Sequence, residues 1–320
     1  MRSSLLRYII KRLLMAVFVL FLVTIIIFVA VRLAPGDPVL NQLGPYGEQT
    51  PERIAAIEAQ LGLDKPEIVQ YFIWLKNIAG GNFGISMRNG RPVVDVILEK
   101  VPASLELICI SILFALIISI PMGITAAIKR NSLIDQMISF GSTSMLAIPS
   151  FVIGLILMLV FAVKLKLLPA GGYISFSENS LQNLRLIIMP VLALGLFETA
   201  NFIRFIRSDT IEVMNSNYIR TAKAKGLPKV KVYYKHAFKN ILITLITVVG
   251  LEFGTLLGGT VIVEQMFGWS GIGWLIFQSV GNRDYNVVQT AVLFVAATFV
   301  VINMLIDILY TAIDPRIKLD

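Results

Sequence analysis

From Leu13 to Val31 the chain runs for 19 residues without one charged side chain, and a run of that length and character has one ready destination. A bilayer core of about 30 Å takes roughly 20 apolar residues at about 1.5 Å of helical rise each. Five further runs fit the same measure. Ala103–Ile128 carries only Glu106, Met137–Val163 carries no charge but contains Pro149, Leu186–Ile203 carries Glu198, Ile241–Val263 carries Glu252, and Val287–Ile313 carries Asp307. The six runs predict six transmembrane helices. The first is expected to stay as a helix and not to be a cleaved signal peptide, because no small-residue cleavage site follows it before Arg32 and Pro35. Composition agrees: 56% of residues are hydrophobic and 15% charged, whereas a soluble domain carries about 25% charged residues. With Cys109 as the only cysteine, and 23 Gly and 13 Pro that show no period, a disulfide-stapled module and a collagen-like rod are excluded. Low charge excludes disorder.

The net charge of +8 comes from 28 Lys+Arg against 20 Asp+Glu. An even number of spans places both termini on one side, and the basic residues of the flanks identify that side. Seventeen of the 28 lie in the N-terminal segment, at Lys129 and Arg130, between Arg204 and Lys239, and in the C-terminal tail. The opposite flanks hold 11, seven of them between Arg32 and Pro102, where eight acids offset them. Both termini are therefore expected in the cytoplasm. That placement accounts for the charge without nucleic acid, and no arginine-plus-aromatic groove for a single strand is apparent.

Two segments outside the spans are unusual. The external segment 32–102 has 71 residues, too many for a plain connection. It opens on a Pro35-Gly36-Asp37-Pro38 stop, then Thr50 as N-cap and Pro51 predict a short helix to Leu61, and a second is predicted from Pro66 through Trp74 to Gly80. The cytoplasmic segment 204–240 contains good helix formers over 218–225, with Gly226 as C-cap and a second, lysine-bearing helix from Leu227 and Pro228 to Lys239. Tyr218, Ala222 and Gly226 share one face, an aromatic followed by small residues. Both an ordinary positive-inside loop and a docking element for another protein fit this pattern.

Several chemistries are missing. Lys never directly follows Gly, so the G-x-x-x-x-G-K-[ST] phosphate loop is absent and the chain is not expected to hydrolyse ATP by that route. His236 is the only histidine, so paired-histidine zinc chemistry is impossible and no enzyme is predicted. Cys109 is expected to be a small core residue. Among the acids inside the spans, Glu106 and Glu198 lie near span ends and are expected to reach water. Glu252 and Asp307 are deeper, and Glu252 stands among Gly250, Gly254, Gly258 and Gly259, a set suited to close helix packing. Glu252 and Asp307 either line a substrate path or bind helix to helix; an ion-coupled secondary transporter remains an alternative on these residues alone.

Further stretches carry a resemblance. Asn217 to Gly226 followed by His236-Ala237-Phe238-Lys239-Asn240, Leu61 to Pro66 with Gln70-Tyr71 and Trp74, Phe83-Gly84 with Ser86, and Pro102 to Leu107 are four of them. Leu257-Gly258-Gly259, Arg283-Asp284-Tyr285 with Val288-Gln289, and Asp314-Pro315-Arg316 complete the set. In this order, over essentially the whole chain, they resemble the permease subunits of binding-protein-dependent ABC importers, specifically the B-type subunit of the dipeptide/oligopeptide/nickel group. Two departures stand out. Arg220, Thr221 and Ala222 occupy the places of a Glu-Ala-Ala opening in the broader importer motif, and Ser270 stands where the group has Pro before Gly271 and Gly273, which predicts a looser external turn.

The resemblance implies an all-α membrane protein of the type I importer architecture: a first helix over 1–31, an external helical insertion over 32–102, a five-helix core over 103–313 and a tail over 314–320. It implies a heterodimer with a second permease, two ATP-binding subunits that carry ATP and Mg, an external solute-binding protein, and a bacterial or archaeal inner-membrane location. No cofactor is expected on this chain. The ATPase-coupling loop would comprise Asn217, Tyr218, Arg220, Thr221, Ala222, Ala224, Lys225, Gly226, His236 and Asn240. Glu252 and Asp307 are the candidate translocation path, and Glu264, Phe267, Gly271 and Gly273 the external gate or turn. Dipeptides or oligopeptides are the expected load, with nickel chelates and glutathione as alternatives within the same group.

Overall fold

The apolar runs appear as helices, most of which begin before the run does. The computed structural model describes residues 2–33, 50–61, 63–226, 228 and 238–313. The predicted stop at Pro35–Pro38, most of the stretch after Pro228 predicted as a lysine-bearing helix, His236 and the tail 314–320 lie outside the described residues. Five described helices are long and apolar enough to cross a membrane, or six if one sharply bent pair counts as a single span. These are α1 (Arg2–Leu33), α5 (Val101–Ile128), α8 (Ser180–Met214), α10 (Phe238–Gly259) and α13 (Tyr285–Ile313). The bent pair is α6 (Leu133–Leu146) followed by α7 (Ser150–Leu157), which continues as a π-helical segment over Met158–Lys164. The bend is 94°. Its cause is local: Pro149 fixes its own φ at −58° and disfavours the helical conformation at Ile148.

The two short helices predicted in the segment 32–102 are present as α2 (Pro51–Leu61) and α3 (Glu67–Ala79), with Gly80 capping the second. A further turn of helix, α4 (Val93–Leu98), leads into α5. Two compact units divide the chain. One comprises Met1–Pro102 with Gly271–Val301; the other comprises Ala103–Ser270 with Ile302–Lys318.

In the first unit, α3 is fastened to α1 through the Gln70-Tyr71 and Trp74 stretch. Phe28 packs edge-on against Tyr71 with ring centroids 5.1 Å apart, Thr24 and Tyr71 share a hydrogen bond of 2.9 Å, and Arg32 donates to Gln70 Oε1 at 2.6 Å. A separate core joins Val93, Val96 and Ile97 to Ile272 and Leu275 of α12 (Ile272–Gly281) and to Val287 and Ala291 of α13. Asp284 stitches this core together. Its carboxylate accepts from Ser86 Oγ, from Met87 N at 3.2 Å, and from Val287 N at 3.4 Å in the first turn of α13.

In the second unit α8 is the central post: α6, α7, α10, α9 (Asn217–Ala224) and α11 (Val261–Phe267) all pack against it. Its approach to α5 is set by two glycines, one on each helix. A Cβ on Gly195 would lie 2.6 Å from Phe114 Cδ1, and one on Gly123 would lie 2.8 Å from Ile206 Cβ. Gly250 of α10 meets Ile306 of α13 in the same manner. Gly258 and Gly259, expected in the same packing role, have open space around them because they end α10.

Three other expectations are corrected. Cys109 is exposed, since α5 turns Leu107, Ile108, Ser111 and Ile112 inward instead. Glu198 is 3% exposed; α8 continues ten residues and more beyond the predicted span end at Ile203, so the residue lies in mid-helix and does not reach water. For the same reason 204–214 is helix, not loop. Gly123→Val is expected to lower the thermal midpoint of the detergent-purified protein, at an overpacking cost of about 1–3 kcal/mol. An unchanged midpoint in a fluorescence-monitored melt would show that α5 and α8 can separate freely there.

Candidate functional site

The predicted coupling segment forms α9, an eight-residue helix set immediately after the C-cap of α8 at Asn215. Asn217, Arg220, Thr221, Ala224 and Lys225 are exposed. Thr221 Oγ1 donates to Asn217 O at 3.0 Å. Gly226 has φ of +73°, the left-handed conformation in which a side chain is strained and which ends a helix cleanly. The side chains of Tyr218 and Ala222 fall outside the description. Asn240 is exposed in the first turn of α10.

The residue that anchors α9 is one the sequence reading passed over. Ile219 is fully buried and packs with Ile241 of α10, with Val213 and Met214 of α8 against the pair. Its signal was present, an isoleucine among charged and small residues, but nothing in the sequence gives its partners. Two polar ties flank it. Thr244 Oγ1 on α10 donates to Asp209 Oδ2 on α8 at 2.6 Å. Arg207 of α8 grips Asp135 of α6 with both ends of its fork, Nε to Oδ1 at 2.6 Å and Nη2 to Oδ2 at 2.8 Å. Asp135 is buried yet well satisfied, since Asn131 N and Ser139 Oγ also donate to it at 2.9 Å and 3.2 Å. Arg207, counted in the sequence among the topology-setting charges, is therefore a structural cross-link as well.

Of the two acids expected to line a path, Glu252 is partly buried on α10 and accepts from Asn201 Nδ2 of α8 at 2.7 Å. Glu198 lies one turn before Asn201 on α8, and its Oε2 has no partner among the described residues. The structure thus pairs Glu252 with Asn201. Asp307 is partly buried on α13, one residue after the Ile306 that packs on Gly250.

Glu264 and Phe267, expected at a gate or turn, are both buried on or beside α11. Glu264 accepts from Ser104 Oγ at 2.8 Å and Thr260 Oγ1 at 3.0 Å. After Gly268, the turn is held by Trp269, which is fully buried, donates its indole N–H to Ala103 O at 2.8 Å, and packs edge-on against Tyr173 at 4.8 Å between centroids. Phe267 O accepts from Gly172 N at 2.7 Å. Ser270 does not leave this turn loose: the tryptophan before it supplies the restraint that a proline would. Gly271 and Gly273 are buried at the start of α12, Gly271 as its N-cap.

The first unit contains a cleft of about 370 Å³. Three stretches quoted for their resemblance converge on it: Leu63, Gln70 and Trp74 from one, Phe83, Gly84 and Ser86 from the next, and Tyr285 with Gln289 from the third. Arg32 lines it too, and among the described residues no acidic side chain does. Among the described residues no group of three His, Cys, Asp or Glu side chains is placed to hold a metal ion.

Comparison with known proteins identifies the family. Residues 119–319 match the family described as binding-protein-dependent transport system inner membrane component, and residues 5–108 match its N-terminal companion. The chain is 40% identical to the oligopeptide transport system permease protein AppB of Bacillus subtilis, over 97% of this chain and 99% of that protein. It is 38% identical to the dipeptide transport system permease protein DppB of Alkalihalophilus pseudofirmus, over 98% and 99%. It is also 38% identical to the glutathione transport system permease protein GsiC of Escherichia coli K12, over 98% and 99%. A solved structure of the MetNI methionine ABC transporter in an inward-facing conformation shares the fold, with a TM-score of 0.57 at 17% identity over 70% of this chain and 98% of that one.

Asp135→Ala, Arg207→Ala and the double variant form a cycle whose coupling energy is expected at roughly 1–3 kcal/mol, read from detergent-denaturation curves. Additive single effects would mean that the fork carries no stability.

Proposed function

The chain belongs to the family of binding-protein-dependent transport system inner membrane components, and from that premise we propose that it is the peptide-conducting permease subunit of an ATP-driven importer, coupled to its motor through α9. The observation that carries the coupling is Ile219. A short exposed helix would swing freely on its own, but this one is fastened through a buried isoleucine to the end of α8 and the start of α10. A push on its exposed face therefore reaches two long helices at once.

In this reading two ATP-binding subunits hold ATP and Mg and receive α9 together with His236 and Asn240, while a second permease completes the channel. An external solute-binding protein delivers the load to the segment 32–102, which leaves the termini in the cytoplasm of a bacterial or archaeal cell, as the basic flanks imply. Work follows only if the ATPase grips α9 differently in its two nucleotide states, because equal affinity shifts no equilibrium. Glu252 with Asn201, and Asp307, stand on helices that such a motion would displace, and Glu264 with Phe267 ties the turn before Gly271 and Gly273. Dipeptides and oligopeptides are the load best supported by the relatives' names; glutathione, itself a tripeptide, is the second reading, on the 38% identity to a glutathione permease.

The assembled complex in proteoliposomes, with its binding protein outside and ATP inside, is expected to accumulate radiolabelled dipeptide; accumulation driven by a proton gradient without ATP would overturn the importer. Ala222→Trp is expected to abolish uptake while the protein still inserts. Ile219→Ala is expected to cut uptake at least tenfold with ATP hydrolysis retained. Normal uptake by either variant would refute the role of α9. Removal of residues 53–78 is expected to abolish uptake by preventing delivery, and undiminished uptake would detach that segment from the binding protein.

A further inference from the structure

The cleft of the first unit has a chemistry that transport through helices does not use. Among the described residues its one charged lining residue is Arg32, at the last turn of α1. The guanidinium is held in place from two directions. It lies over the Phe28 ring at 3.4 Å from the centroid, and Nη2 donates to Gln70 Oε1 at 2.6 Å. Gln70 is itself fixed, since its Nε2 donates to Lys65 O at 2.7 Å. One further N–H reaches Phe28 O at a long 3.5 Å. The remaining donors have no acceptor among the described residues, and Nε is a buried donor with none.

Around this cation the lining supplies amides. Gln289 is 3% exposed, lines the cleft, and makes no side-chain hydrogen bond with another described residue. Its carboxamide opens onto the cleft and is available to a ligand there. Asn77 lines the cleft with its carboxamide likewise uncommitted, while Trp74 and Tyr285 provide apolar wall. A carboxamide offers one acceptor and two donors, the complement of a peptide unit. A pre-oriented guanidinium with no ion pair to a carboxylate among the described residues is the complement of a terminal carboxylate, which it can bind with two parallel N–H···O bonds. The volume of about 370 Å³ is at the small end of ligand sites, which run from about 300 to 1,000 Å³, and suits two or three residues rather than a long chain.

The geometry points to a second peptide site on this chain: the Arg32 cleft binds the C-terminal carboxylate of a short peptide, with Gln289 and Asn77 on its backbone. This deepens the peptide reading and rests on it for the class of ligand. The cleft is a place where a released peptide is held by its carboxyl end, distinct from the acids on α8 and α10, which offer no cation to a carboxylate.

The test is equilibrium binding of tritiated trialanine to the assembled transporter in nanodiscs, without ATP and without the binding protein. Saturable binding is expected, with trialanine amide at least tenfold weaker as a competitor and N-acetyl-trialanine about as good as trialanine itself. This comparison needs no mutation. Arg32→Gln is expected to weaken binding at least tenfold and Gln289→Leu severalfold, whereas Arg91→Gln, an exposed arginine of the same unit, leaves it unchanged. Equal competition by the amide, or unchanged binding in Arg32→Gln, overturns the site. ATP-driven uptake of trialanine is measured alongside: uptake with no carboxylate-dependent binding sinks the cleft and leaves the importer standing, and binding with no uptake does the reverse.

Discussion

The close packing of neighbouring helices on α8 is the constraint on which the second unit depends. Lipid offers no hydrophobic drive between helices, so van der Waals contact at short range has to hold them. Gly123 and Gly195 permit that range, with Ile206 and Phe114 seated where a Cβ would be. Once α8 is fixed along this seam, its other faces receive α6, α7, α10 and α11. Pro121 in α5 and Pro190 in α8 each remove one backbone donor from these helices, a loss that buried, packed helices tolerate.

A single 35-residue helix then carries several sites at fixed separations. Asn201, hydrogen-bonded to Glu252, and Met214, packed at Ile219, are about 20 Å apart along α8 at 1.5 Å per residue. The fork between Arg207 and Asp135 lies between them. Rigid rods with discrete packed ends are the kind of element through which a force at one site is felt at another. The 94° break at Pro149 limits such transmission along α6 and α7. α8 and α10 thus join the buried anchor of α9 at Ile219 to the hydrogen bond between Asn201 and Glu252.

Legibility from sequence followed periodicity and range. The positions of α1, α2, α3, α5, α10 and α13 were readable because apolar run length and caps such as Pro51 and Gly80 act locally. Glu198 was misjudged because the charges after Ile203 marked a helix end, whereas Arg207 is neutralised by an aspartate 72 positions away. Trp269 compensates for Ser270 through Ala103, and Ile219 meets Ile241; neither partnership leaves a trace at local spacing. The resemblance located motifs without saying that three of them share a cleft.

By itself the sequence determined that this chain lives in lipid and roughly where it crosses, because hydrophobic run length acts on each segment independently. Tertiary structure decided which acids are buried, which arginine is cross-linked and which remains open in a cleft, and what anchors the exposed helix after α8. Those outcomes depend on contacts between residues tens to hundreds of positions apart, and only the folded chain brings them within a few ångströms.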